Sequence, residues 1–172
     1  MLCSRHCALV RTAPPSSRRT VANPGSGVSA QATGDRLFRV TARLGDTNAR
    51  GCVDDVALLV FFEAARAVAL RELGLPYEQI QARGVNALTI KARLTNHSCA
   101  QMEDPLVVHT SIGEAGRLRF SFLYEIRRET DDALVASGET LHILVDAGSG
   151  QPSRVPDWFY GALEPMRRHD PG

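Results

Sequence analysis

One segment restricts the fold more than any other. From Asp55 to Leu73 the chain runs nineteen residues without glycine or proline, rich in Ala, Leu, Phe and Arg. Straight-chain and alanine-rich stretches of this kind favour helix. Asp54 and Asp55 open it, where carboxylates cap free N–H groups and complement the helix dipole. Gly74 and Pro76 follow it, as a helix stop should. The expected rod is about 28 Å long at ~1.5 Å per residue. Its first two turns are apolar nearly all round, so it should be enclosed by protein rather than lie on a surface.

The flanking segments carry the period of strands. Phe38, Val40 and Ala42 alternate with Arg39, Thr41 and Arg43 before a loop at residues 45–51. After the helix come Leu88, Ile90, Ala92 and Leu94 in alternation, then Leu106 to Ile112 behind Pro105. The clearest strand is the face of Leu118, Phe120, Phe122, Tyr124 and Ile126. Glu114-Ala115-Gly116 and Thr130-Asp131-Asp132 read as turns. Ala133 to Val145 is the last strand, with Gly138 as a bulge or bend, and a short helix is expected over 156–166. One strand, one long helix and four strands on short turns make a single α+β domain. A long central helix is expected to be wrapped by a five-stranded antiparallel sheet. Those strands leave the helix start uncovered, which predicts a homodimer.

Composition narrows the function. The 20 basic and 19 acidic residues leave a net charge of +1, but Arg5, Arg11, Arg18 and Arg19 all precede residue 34, where no acid occurs. The body is therefore mildly acidic and offers no electrostatic footprint for nucleic acid. The longest apolar run, Val56 to Phe62, is too short to span a bilayer. Residues 1–34 allow three readings: an organellar transit peptide, translated upstream sequence, or a disordered extension. The expected compartment is the cytoplasm, or a plastid or mitochondrion under the first reading. Cys3, Cys7, Cys52 and Cys99 form no disulfide framework, which predicts a reducing compartment. Cys3, His6 and Cys7 lack the second pair that a metal site needs, so neither metal nor cofactor is expected.

Asp46-Thr47-Asn48-Ala49-Arg50-Gly51-Cys52-Val53, followed by Phe61-Phe62-Glu63-Ala64-Ala65-Arg66, carries a resemblance. It resembles the hotdog thioesterases of the 4-hydroxybenzoyl-CoA thioesterase family, whose Asp-x-Asp-x-x-Gly-x-Val loop feeds a long helix. The resemblance runs from about Phe38 to Trp158. The family's usual catalytic carboxylate falls on Asn48, and Asp46 matches the first, structural Asp. The aromatic and His/Asn positions after the Val are here Asp54, Asp55 and Ala57. The Asp-Thr-Asn form is similar to the thioesterases of enediyne polyketides, which also carry Asn there and an Arg at the spacing of Arg66. The resemblance implies a hotdog fold, hydrolysis of an acyl-CoA or acyl-carrier-protein thioester, and a homodimer or dimer of dimers. The alternative is a non-catalytic hotdog subunit that binds an acyl chain or serves in assembly; a dehydratase lacks its loop motif here.

The implied site gathers Asn48, Arg66 and Glu63 as catalytic residues and Gly51, Val53, Asp54 and Asp55 as the substrate-binding loop and helix start. The family's carbonyl is polarised by an N–H at the start of the helix, which falls near Asp54 and Asp55. Unpaired N–H groups there favour a developing oxyanion, although the Asp side chains could equally cap them. Asn48 cannot titrate, but it can orient a water or donate to the thioester oxygen. It could also be a turn residue that bonds its own backbone. Glu63 and Arg66 share a helix face; Arg66 could stabilise anionic charge and Glu63 could act as a base tuned by burial, or the two could form a structural salt bridge. Cys52 reads as a small buried cysteine rather than a nucleophile, and His142 as a structural or surface residue. Phe120, Phe122 and Tyr124 read as core or as the lining of a substrate tunnel.

Overall fold

A computed structural model describes residues 34–167; Cys3, His6, Cys7 and the arginine-bearing segment up to residue 33 lie outside the described residues. The elements are β1 (Arg36–Thr41), α1 (Asp55–Glu72), α2 (Tyr77–Ala82), β2 (Val85–Asn96), β3 (Pro105–Ala115), β4 (Phe120–Arg128), β5 (Leu134–Asp146), β6 (Pro152–Ser153) and α3 (Asp157–Leu163). The strands form one antiparallel sheet in the order β1-β3-β4-β5-β2, with the two-residue β6 added beside β5. This is the expected α+β hotdog arrangement, with a sixth short strand and the extra helix α2.

The long helix is set by its two ends. Asp54 is extended and its carboxylate accepts the Val56 N–H at 3.0 Å. At the other end Gly74 sits at φ +71°, a conformation costly for any residue with a Cβ. There the Leu75 N–H reaches the Leu70 carbonyl at 2.8 Å and the Gly74 N–H reaches Arg71 at 3.0 Å. Those two bonds satisfy carbonyls that the helix end leaves open. Pro76 then starts α2 instead of a loop, because a proline just ahead of a first turn surrenders no needed N–H.

The inner face of the sheet holds the core. Phe120, Phe122, Tyr124 and Ile126 on β4 are all buried, and Phe62 of α1 stacks on Tyr124 with ring centroids 4.4 Å apart. Gly138 is where this packing is tightest. A Cβ there would overlap the Phe62 ring and the Arg93 carbonyl. Gly138 is therefore neither bulge nor bend: it stays in register with Leu94 and Tyr124, and its missing side chain makes room for Phe62. Leu118, expected on the β4 face, lies outside the strand and is exposed.

The strands of one chain leave part of the helix start uncovered, as the sequence pattern leads one to expect. Leu58, Phe61, Phe62, Ala65 and Arg66 are buried, but Val56 and Val60 are 68% and 56% exposed. The sheet covers one side of α1, and the side bearing Val56, Val60 and Glu63 stays open. Among the described residues no helix is long and apolar enough to cross a membrane.

Candidate active site at the start of the long helix

The loop before α1 is built by its own side chains. The Asp46 carboxylate accepts the Arg43 N–H at 2.8 Å and its carbonyl accepts the Asp54 N–H at 2.8 Å, so it holds both ends of the loop. Asn48 organises the middle. Its N–H donates to the Cys52 carbonyl at 2.8 Å, and its Oδ1 accepts the N–H groups of Arg50 at 2.9 Å and Cys52 at 3.4 Å. Two backbone donors on one amide oxygen fix the orientation of the amide, because only oxygen accepts. Nδ2 thus faces away from the turn, with no partner among the described residues. The turn reading of Asn48 is realised through its oxygen, and its donor is left over. Gly51, at φ +78°, closes the turn by donating to the Asn48 carbonyl at 2.9 Å.

Beyond that amide is a pocket of about 320 Å³. Asn48, Arg50, Cys52, Val53, Asp55 and Leu58 line it from the loop and helix start. Asn96 to Ala100 and Val135 close the other side. Its floor is apolar (Val53, Leu58, Val135) and its rim polar, and its volume is in the range of small-molecule sites. Asp54 takes the Val56 N–H, so one first-turn donor is capped; its neighbours have no partner within the helix. The Asp55 carboxylate accepts from Asn96 Nδ2 at 2.7 Å, which joins the helix start to the end of β2. His97 is held by Ser137, Nε2 to Oγ 2.8 Å.

Cys52 and Cys99, both in the lining of this pocket, are joined in a disulfide with Cα atoms 5.3 Å apart. The readings of Cys52 as a buried free cysteine and of the body cysteines as unbridged are both corrected. The pairing follows from the fold: Val53 N–H bonds the Ala100 carbonyl at 2.8 Å, and Cys52 bridges Gln101, so the loop and the residues after β2 run side by side.

Asn48, Gly51, Val53, Asp54 and Asp55 come together at this end of α1. Arg66 and Glu63 do not join them within the chain, since Arg66 is eleven residues further along the helix than Asp55, about 16 Å at ~1.5 Å per residue. Arg66 points inward and is 7% exposed. Its Nε donates to the Tyr77 hydroxyl at 3.1 Å and its Nη1 to the Tyr124 hydroxyl at 3.3 Å. Burial opposes its charge, but the two phenol oxygens more than offset this and hold it above the ordinary arginine value. Tyr124 in turn shares a hydrogen with Thr140 (2.9 Å), and Thr140 meets His142 Nε2 at 2.7 Å. His142 is buried, and burial together with the nearby Arg66 charge lowers its pKa to about 3. Glu63 faces out, its side chain 69% exposed and 3.8 Å from Arg66. The burial on which its role as a base depended is absent in the single chain.

Reading the sequence alone missed the far wall of the pocket. Asn96-His97-Ser98-Cys99 follows the alternating run of β2 as a polar cluster, and that break in the pattern was the available signal.

The model of the thioesterase-like superfamily matches residues 42–163, most of the described chain. The Thermus thermophilus protein TT1821, known as a crystal structure, is 30% identical, with 76% of this chain and 98% of that one covered at a TM-score of 0.70. The Aquifex aeolicus (strain VF5) protein named "Putative esterase" is 29% identical over 112 residues, 65% of this chain and 86% of its own. The dynemicin thioesterase shares the fold at a TM-score of 0.72 and 18% identity, covering 79% of this chain and 99% of that one.

Proposed function

Because the chain belongs to the thioesterase-like superfamily, we propose that it hydrolyses acyl thioesters in the pocket at the start of α1. The substrate is an acyl-CoA or an acyl chain on a carrier protein, of polyketide or fatty type. The observation that carries this reading is the Asn48 amide: its oxygen is taken up by the turn and the residue lines the pocket at the helix start, so Nδ2 is the donor it has left to offer a substrate there. A thioester carbonyl seated there meets Nδ2 and the uncapped first-turn N–H groups, donors placed where negative charge develops. The apolar floor takes the first carbons of the acyl chain. The Asp-Thr-Asn loop supports kinship with the enediyne polyketide thioesterases within the superfamily.

Arg66 belongs to the scaffold in this reading: it pins α1 to α2 and β4 through two tyrosine hydroxyls. The open side of α1 and the outward edge of β2, where Leu88 and Ile90 are 46% and 52% exposed, are the face that a second copy covers. An unpaired edge of this length and apolarity is otherwise a liability. Light scattering at micromolar concentration should then give twice the chain mass or a multiple of it, and a monomer would remove this part of the proposal.

The test of function is release of free thiol from a panel of acyl-CoA and acyl-carrier-protein thioesters. Release from either class supports a hydrolase. A folded protein that binds acyl thioesters and releases nothing would favour the non-catalytic acyl-binding subunit.

A further inference from the structure

Asn48 cannot accept a proton, and Glu63, eight residues beyond Asp55 on α1, projects to solvent. A hydrolase with this loop still gains from a base beside the attacking water. One carboxylate lines the pocket together with Asn48, and that is Asp55. We propose that Asp55 is the general base of thioester hydrolysis, held in place by Asn96. The inference rests on the thioester-hydrolase reading above.

The geometry supports the assignment in three ways. Asp55 Oδ1 accepts from Asn96 Nδ2 at 2.7 Å, which tethers the carboxylate to the end of β2 through one oxygen and makes Oδ2 the oxygen to receive the proton. Asp54, the neighbouring acid, is already engaged as the helix cap through Oδ1 to Val56 N. The remaining charged or titratable side chains lining the pocket are Arg50 and His97, and His97 Nε2 is occupied by Ser137. The proton balance closes within the site. Asp55 takes one proton from water as the water oxygen bonds to the thioester carbon, and the carbonyl oxygen becomes the oxyanion held by Asn48 Nδ2 and the helix start. Collapse breaks the C–S bond, the thiolate takes the proton from Asp55, and a carboxylic acid and a free thiol result. Asn96, which shares the pocket wall, acts here through its hydrogen bond to Asp55 and is a positioning residue.

The experiment compares the full-length wild type with Asp55→Asn, Asn96→Ala and Glu63→Gln on the most active thioester of the panel, across pH 4–9, with melting curves alongside. Asp55→Asn keeps the acceptor for Asn96 and should lower kcat by about a hundredfold, remove the acid-side fall of the rate, and leave KM within about threefold. Asn96→Ala should lower kcat by about tenfold with the acid-side fall retained. Retention of wild-type kcat and pH profile by Asp55→Asn overturns the proposal, as does transfer of both effects to Glu63→Gln. A wild type that releases no thiol from any substrate contradicts the hydrolase reading itself and the base with it. A wild type that turns over while Asp55→Asn is unaffected contradicts only the base.

Discussion

The side chain of Asn48 bonds the backbone of Cys52, Oδ1 to N at 3.4 Å, while the Asn48 N–H donates to the carbonyl of the same residue at 2.8 Å. This two-way clasp ties the loop before α1 together and leaves the amide donor outside the turn. Aspartate at this position would accept the same two N–H groups but present no donor. Asn48→Asp should therefore keep the melting temperature within about 3 °C, a shift of under ~1 kcal/mol for a domain of this size, while thioester turnover falls by about tenfold or more. Thermal melting and thiol release on one preparation check both halves.

The Cys52–Cys99 bond joins the loop before α1 to the residues after β2, 47 positions apart in the chain. Its loss should lower stability by about 4 kcal/mol on chain-entropy grounds. Urea unfolding of the paired Cys52→Ser/Cys99→Ser variant, or of wild type with and without dithiothreitol, measures this. Equal midpoints would show that the backbone pairing of Val53 with Ala100 suffices.

Arg66 is a buried cation whose nearest acid, Glu63, is 3.8 Å away and exposed; two phenols take its closest hydrogen bonds. Arg66→Ala leaves those hydroxyls short of a donor and opens a cavity between α1 and β4. A loss of about 3 kcal/mol is expected in urea unfolding. Arg66→Met fills the space without restoring the donor, so it should recover only the packing share.

His142 gives a pH signature. Its folded pKa is lowered to about 3 against about 6.5 unfolded. A group depressed in this way contributes stability that is fully present above pH 6.5 and is lost as pH falls from 6.5 toward 3, because the unfolded chain takes up the proton first. The full loss amounts to on the order of 5 kcal/mol. His142→Asn, which cannot titrate, should flatten the fall of stability over that window, and denaturation at pH 7 and pH 4 checks it.

How much of this was legible before the fold was known divides along the range of the interactions. The helix, its two ends, the succession of elements along the chain and the loop motif depend on neighbours a few residues apart, and periodicity and capping residues display them. The inward turn of β4 was visible for the same reason. What escaped depended on contacts far along the chain. Nothing near Cys52 announces Cys99, and Asn96 meets Asp55 only once β2 returns beside the helix start. Gly138 looked like an interruption of a strand, whereas it clears space for Phe62, a residue on another element. Glu63 and Arg66 were correctly seen as helix neighbours, but three residues on a helix are also a rotation of about 60°. That rotation buries one and exposes the other. The short helix α2 was hidden behind Gly74 and Pro76, which stop one helix and here begin the next.

The central claim is that the Asn48 donor at the start of α1 holds a thioester carbonyl for attack by water. Its most direct measurement is the thiol-release rate of wild type and Asn48→Ala on one substrate, each corrected for folded fraction by its melting curve. The account predicts release by the wild type and a fall in kcat of about a hundredfold in the variant, with KM little changed and the fold intact. Equal turnover by the two proteins would contradict it.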